Sequence, residues 1–237
     1  MTFEAAAEAV EGVPFMSPES GRQIYDHLCK TKPDEVLELG TAHGVSAVYM
    51  AAALEANGNG RVTTVDFEGS GWSNPSPEEL VARAGLSHRV EIVRRYSSYT
   101  WFLKKKIEER SRDGVCQPLY GFCYLDGCKN WTIDGLSVFL IEKLLHPGGW
   151  LLMDDLGWSY GEQGSRDGRE SCDGITNRSM TAEELAEPHL AAIFELLVKQ
   201  HPTFDEFRIE RDGWWGWARK APQRRSLTQR LRALGPS

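Results

Sequence analysis

The chain has 237 residues, 34 acidic against 27 basic side chains and a formal charge of −7, which is enough for one well-buried α/β domain. That balance, with no long basic block, argues against nucleic acid as a partner, and no apolar run approaches the length needed to span a membrane. The start, Met1-Thr-Phe-Glu-Ala-Ala-Ala-Glu, lacks the basic residues of a signal peptide, so a cytoplasmic location is expected.

No internal repeat is present. Thr2 to Val10 reads as a short helix, followed by a connecting segment that carries Phe15 and Met16. Ser17-Pro-Glu-Ser has the form of a helix N-terminus, and that helix should run to about Lys30, before Pro33. Val36 to Leu39 is a short apolar run ending at Gly40, the pattern of a buried parallel strand, and the Ala-rich stretch Val45 to Ala56 is the helix after it. Asn57-Gly-Asn-Gly60 is a turn into the β-branched strand Arg61 to Asp66, and Phe67 to Pro77 is loop. Helix over Glu78 to Ala84, strand over Arg89 to Arg94 and helix over Tyr99 to Arg110 follow. Leu119 to Asp126 should be a fourth strand, Trp131 to Leu145 a helix, His146 to Gly149 a turn, and Trp150 to Asp155 a fifth strand. The polar stretch Leu156 to Met180 reads as a mobile lid, and Thr181 to Gln200 as a helix. Phe204 to Ile209 and Trp214 to Arg219 form a terminal antiparallel hairpin, and the basic tail over residues 221–237 a solvated helix. Residues 1–220 are thus read as one doubly wound, mainly parallel α/β domain with a C-terminal antiparallel hairpin, residues 1–34 supplying N-terminal helices. The five cysteines, Cys29, Cys116, Cys123, Cys128 and Cys172, are odd in number without a Cys-x-x-Cys pair, so reduced thiols are expected.

Strand, glycine turn and helix around Gly40 make a ligand-cradling unit, since ligands of open α/β sheets bind at the carboxyl ends of strands. The spacing Glu38-x-Gly40-x-x-x-Gly44 differs from Gly-x-Gly-x-x-Gly and so argues against a dinucleotide pyrophosphate site. Asp66 ends the next strand, where a carboxylate can accept hydrogen bonds from ribose hydroxyls. Asp126, Asp154 and Asp155 emerge on the same sheet edge with Lys129. Three carboxylates without cysteine or histidine make a hard, oxygen-rich site suited to Mg2+, or to Mn2+ or Ca2+.

The pairing of Glu38-x-Gly40-x-x-x-Gly44 with Asp66 resembles the cofactor site of class I S-adenosylmethionine methyltransferases, which have a Rossmann-like seven-stranded sheet. Asp126-x-x-Lys129, with Asp154-Asp155 28 residues after Asp126, narrows this to the metal-dependent O-methyltransferases typified by catechol O-methyltransferase. The resemblance implies that Glu38, Gly40, Ala42 and Ser46 line the methionine part, with Thr41, Gly44 and Asp126 also in contact with the cofactor. Asp66 and Phe67 would meet the ribose edge and Ser97 the adenine, with Met16 and Ser17 closing over them. It implies a divalent metal on Asp126, Asp154 and Asp155, and Lys129 as general base. Asp155 stands where catechol enzymes have an amide, a similarity to bacterial enzymes that methylate sugars or hydroxylated natural products. Many of those have a histidine at the position of Lys129.

The expected function is therefore magnesium-dependent transfer of a methyl group to a hydroxyl of a small molecule: a vicinal diol, a sugar or a phenol. A homodimer is the expected assembly. Two other readings remain open, a metal-independent N- or C-methyltransferase and a non-catalytic S-adenosylmethionine-binding protein. His43 reads as a turn residue near the cofactor and His146, before Pro147, as structural; His189 and His201 show no ligand spacing, and Glu206 reads either as a substrate-orienting carboxylate or as surface charge.

Overall fold

A computed structural model describes residues 1–164 and 179–222. The predicted α/β alternation is present: α1 (Phe3–Ala9), α2 (Pro18–Thr31), β1 (Glu35–Leu39), α3 (Val45–Asn57), β2 (Arg61–Phe67), α4 (Pro77–Arg83), β3 (Val90–Tyr96) and α5 (Tyr99–Arg110). A small hairpin, β4 (Ser111–Arg112) and β5 (Val115–Cys116), precedes β6 (Tyr120–Leu125), α6 (Trp131–Leu144) and β7 (Leu145–Met153). Then come α7 (Ala182–Ala186), α8 (His189–Ile193), β8 (Phe204–Glu210) and β9 (Trp215–Lys220). Seven strands form one sheet in the order β3-β2-β1-β6-β7-β9-β8, parallel from β3 to β7 and antiparallel at β9 and β8.

Two-residue alternation along the parallel strands sorts their side chains between the faces. Val36, Val62, Phe122, Tyr124 and Leu152 pack with α1 to α4, whereas Leu37, Leu39, Val65, Cys123 and Leu125 pack with α5, α6 and α8. Helix α3 is buried from Val45 to Leu54, because it lies between the sheet and a second helical layer made by α1 and α2. That position explains its apolar composition all round.

The structure departs from the sequence reading in several places. The helix expected from Thr181 to Gln200 is interrupted. Pro188 holds Glu187 extended (φ −78°, ψ 134°), and the chain re-enters as α8 before a π-helical turn over Phe194–Val198. The Pro-Gly-Gly turn after α6 is absorbed into β7 as an irregularity, since Tyr120 pairs with Leu145 while Phe122 already pairs with Trp150. Leu156, Trp158 and Tyr160, at the start of the expected lid, are buried. The remainder of that stretch, residues 165–178 with Cys172, and the tail from residue 223 lie outside the described residues. Cys29, Cys116 and Cys123 are free thiols, but Cys128 is disulfide-bonded, contrary to the expectation that all are reduced. Parity and local spacing do not report which cysteines the fold brings together. Among the described residues no helix is long and apolar enough to cross a membrane.

Helices α2 and α3 approach so closely at Gly21 that a Cβ there would lie 2.4 Å from the buried Tyr49 ring. Gly21→Ala therefore sets a helix-propensity gain of about 1 kcal/mol against overpacking of about 1–3 kcal/mol. The net expectation is destabilisation, read as a lower denaturation midpoint in urea. A midpoint equal to or above that of the parent would show that Tyr49 yields freely.

Candidate active site

The turn after β1 is built from backbone geometry that few residues allow. Gly40 has φ +101°, and a Cβ on it would stand 2.2 Å from the carbonyl oxygen of Asp126, so the ends of β1 and β6 meet backbone to backbone. Ala42 (φ +44°) and Gly44 (φ +85°) continue in the left-handed region, and Gly44 precedes α3 as its N-cap. Asp66 holds this turn together: its Oδ2 accepts from the Thr41 and Ala42 amides, both at 3.2 Å, and its Oδ1 from the Phe67 amide at 2.9 Å. Burial raises the Asp66 pKa, against the pull of those amides. Thr41 is also buried and its hydroxyl lies 2.6 Å from that of Thr64.

Glu38 is fully buried, in register with Thr64 on one side and Tyr124 on the other. Neither of its carboxylate oxygens has a hydrogen-bond partner of good geometry among the described residues, although the hydroxyls of Ser46 and Thr64 stand beside it. Burial pushes its pKa up to about 8. A buried, unpartnered carboxyl beside a glycine turn is costly unless something polar docks there, so the residues fit a cofactor carrying cationic and hydroxyl groups. Phe67 and the exposed Ser97 lie at the carboxyl ends of the neighbouring strands β2 and β3. Ser17 caps α2 by accepting from the Ser20 amide, and Met16 is partly buried against the core.

The acidic half of the site extends from β6 and β7. Two-residue alternation carries Tyr124 to Asp126 and Leu152 to Asp154 on the face that also holds Glu38. Asp154 is buried and oriented by three donors: the Trp215 indole at 2.8 Å and the Asp155 amide at 2.6 Å on Oδ1, and the Tyr124 hydroxyl on Oδ2. The same hydroxyl stands 3.4 Å from Asp126 Oδ2. Lys129, only 5% exposed, places its ammonium 2.6 Å from Asp126 Oδ1 and 2.8 Å from Asp155 Oδ2. Burial raises the pKa of Asp126 to about 7 against the pull of Lys129; burial and then the neighbouring Asp155 raise that of Asp154.

As they stand, no three histidine, cysteine or carboxylate side chains among the described residues are gathered into a metal-holding group. The cation between Asp126 and Asp155 is the Lys129 ammonium. The donor set is nonetheless all oxygen and hard, with its most buried member clamped by hydrogen bonds from behind, and in chemistry it fits a divalent cation of the magnesium kind.

The loop that presents Lys129 (φ +61°) is fixed from three sides. The Cys128 amide donates to the Tyr99 hydroxyl at 3.0 Å, the Asn130 amide to the buried Asp134 at 2.7 Å, and the Tyr160 hydroxyl to the Cys128 carbonyl at 3.0 Å. Tyr99 in turn donates to Asp134. Tyr99, Tyr124, Asp134 and Tyr160 were absent from the expected site, and Trp215 entered only as one of the indoles of the last strand that could wall the acceptor pocket. Of the absent ones, only Tyr124 carried a sequence signal, its spacing of two from Asp126. Glu206 pairs at 3.2 Å with Arg219, which is in register with Trp150 of β7, four residues before Asp154, so it lies toward the amino side of the sheet, away from the site. His43 binds the Pro75 carbonyl through Nδ1 at 2.8 Å, a turn-holding contact.

A family profile described as a methyltransferase domain matches residues 37–156. The chain belongs to this methyltransferase family. Over 88 residues it is 35% identical to a catechol O-methyltransferase of Niastella koreensis, a match covering 36% of this chain and 37% of that protein. The matched part thus spans little more than a third of that curated relative. Among solved structures, an O-methyltransferase from Bacillus cereus in complex with S-adenosylhomocysteine aligns with TM-score 0.59 and 20% identity, over 91% of this chain and 86% of that one. An S-adenosylhomocysteine-bound methyltransferase from Podospora anserina aligns with TM-score 0.62 and 17% identity, over 92% and 86%. At those identities the two structures establish the shared Rossmann-like methyltransferase fold.

Folded Glu38 prefers its neutral form up to about pH 8, whereas an ordinary glutamate ionises near 4.5. The folded state thus binds more protons across that interval, and the stability from this group is lost as pH rises from about 4.5 to about 8. In the cofactor-free protein the unfolding free energy should fall over this range, by up to a few kcal/mol from this group, and Glu38→Gln should flatten the fall. An identical pH profile in the two proteins would assign the burial no such cost.

Proposed function

We propose that the protein is an S-adenosylmethionine-dependent O-methyltransferase that acts with a divalent cation, magnesium foremost, on a hydroxyl of a small molecule such as a vicinal diol, sugar or phenol. The observation that carries this reading is the direct backbone contact of the Gly40 turn with Asp126, which sets a carboxylate and lysine cluster against the cofactor turn. The match to a catechol O-methyltransferase supports the reaction class.

In this reading Glu38, Gly40, Thr41, Ala42, Gly44 and Ser46 receive the methionine part of the cofactor. Asp66 and Phe67 receive the ribose, and Ser97 the adenine. Because Asp66 already binds two turn amides through Oδ2, a ribose meets a carboxylate whose direction is set in advance. Asp126, Asp154 and Asp155 would hold the divalent cation. When bound, S-adenosylmethionine supplies an electrophilic methyl group and the cation supplies Lewis acidity toward the acceptor hydroxyl. Lys129, in its neutral amine form, would take the hydroxyl proton at Nζ. Tyr124 and Trp215 keep the Asp154 carboxylate aimed, and Tyr99 and Asp134 keep the Lys129 loop in register with it. Alignment of this kind can be worth roughly 7 to 11 kcal/mol of a transfer barrier.

Calorimetry with S-adenosylmethionine, combined with a labelled-methyl screen of catechol and vicinal-diol libraries, tests the reading. Cofactor binding should persist in chelator while methyl transfer stops, and Asp154→Asn should lower transfer about 100-fold or more with binding retained. Full transfer in chelator would remove the metal from the proposal, and failure to bind the cofactor would remove the activity itself. Tyr124→Phe or Trp215→Phe should each cost about 10- to 100-fold in transfer through a loosened Asp154. Unchanged rates in both would leave Asp154 without an orienting shell.

A further inference from the structure

We infer that Lys129 is a built-in competitor for the divalent cation: its ammonium bridges Asp126 and Asp155 in the metal-free protein and must leave them before the cation can bind. This inference rests on the metal reading above and extends it to how the site is loaded.

The geometry is specific. One ammonium lies 2.6 Å from Asp126 Oδ1 and 2.8 Å from Asp155 Oδ2, so carboxylates from the ends of two neighbouring strands are joined through a single nitrogen. A magnesium-like cation needs oxygens at about 2.0–2.1 Å in near-octahedral array. A cation held by Asp126 and Asp155 would draw on the oxygens the ammonium now meets, and two positive centres sharing the same pair of oxygens repel. Lys129 is anchored three residues from Asp126 and is 5% exposed, so as a tethered ligand it acts at high effective concentration.

The loop cannot relieve the competition by shifting as a whole. The Cys128 amide and carbonyl are bound to Tyr99 and Tyr160, and the Asn130 amide to Asp134. Gly127 also packs so tightly that a Cβ on it would lie 2.4 Å from the Tyr99 hydroxyl. What can move is the lysine side chain, which has four rotatable bonds. Asp154 is held instead by Trp215, Tyr124 and the Asp155 amide, so one carboxylate stays aimed while Lys129 changes place. The arrangement has two consequences. The carboxylates are kept from repelling one another before metal arrives, and arrival of the metal releases the Lys129 side chain from Asp126 and Asp155.

The test is Mn2+ binding to the full chain without acceptor, followed by calorimetry and by the electron paramagnetic resonance signal of free Mn2+. Lys129→Met should bind Mn2+ about tenfold or more tightly than the parent protein, and Lys129→Gln, which keeps polarity without charge, should shift in the same direction. The glutamine variant carries the test if the methionine variant does not fold. Equal or weaker binding by a folded charge-free variant, with the parent binding Mn2+, overturns the competition and leaves the metal reading intact. Absence of Mn2+ binding in the parent and both variants overturns the metal reading and the competition with it.

Discussion

The contact between the Gly40 turn and the Asp126 carbonyl is the constraint on which the site depends. With no Cβ between them, the ends of β1 and β6 close to backbone contact, and the Gly40 turn and the acidic cluster lie side by side at one edge of the sheet. Any side chain at position 40 would push against the Asp126 carbonyl and so against the base of the Lys129 loop. The parallel pairing of β1 with β2 and β6 then places Asp66 on one flank of the turn and Asp126 on the other.

Five carboxyl groups crowd this edge, and the fold treats each differently. Glu38 is buried with no well-formed hydrogen bond to its carboxylate among the described residues, and burial favours its neutral form. Asp66 is surrounded by backbone amides of the turn it closes. Asp154 accepts from an indole, a phenol and an amide. Asp126 and Asp155 share the Lys129 ammonium. Like charges so close cannot all be left to solvent, and local neutralisation by hydrogen bonds, burial and one lysine lets the cluster exist in a folded chain. The same devices orient the carboxylates.

The aromatic residues of the site serve position more than contact area. Tyr99, Tyr124, Tyr160 and Trp215 are all buried, and each bonds through its polar tip to a group in the Asp126–Asn130 loop or to Asp154. Apolar rings lock into the core while their hydroxyl or N–H reaches the rim, so the loop inherits the rigidity of the sheet beneath it. Lys129 and Asp155 both sit at positive φ, and that packing holds them there.

Much of this was legible in the sequence. The alternation of β and α segments fixed the parallel sheet, and two-residue periodicity along β1, β2, β6 and β7 was enough to bring Glu38, Asp66, Asp126 and Asp154 to one face, because side-chain direction in a strand follows from local geometry alone. The broken helix at Pro188 was readable in principle, since proline restricts the residue before it. What only the tertiary structure decided was pairing across long separations. Trp215 reaches Asp154 over 61 residues and Tyr99 reaches Asp134 over 35, and that Cys128 is disulfide-bonded had no signal in the cysteine spacing. The bridging of two carboxylates by Lys129 belongs to the same class: residue types name the charges present, but which oxygen meets which nitrogen is set by how β6 and β7 end side by side.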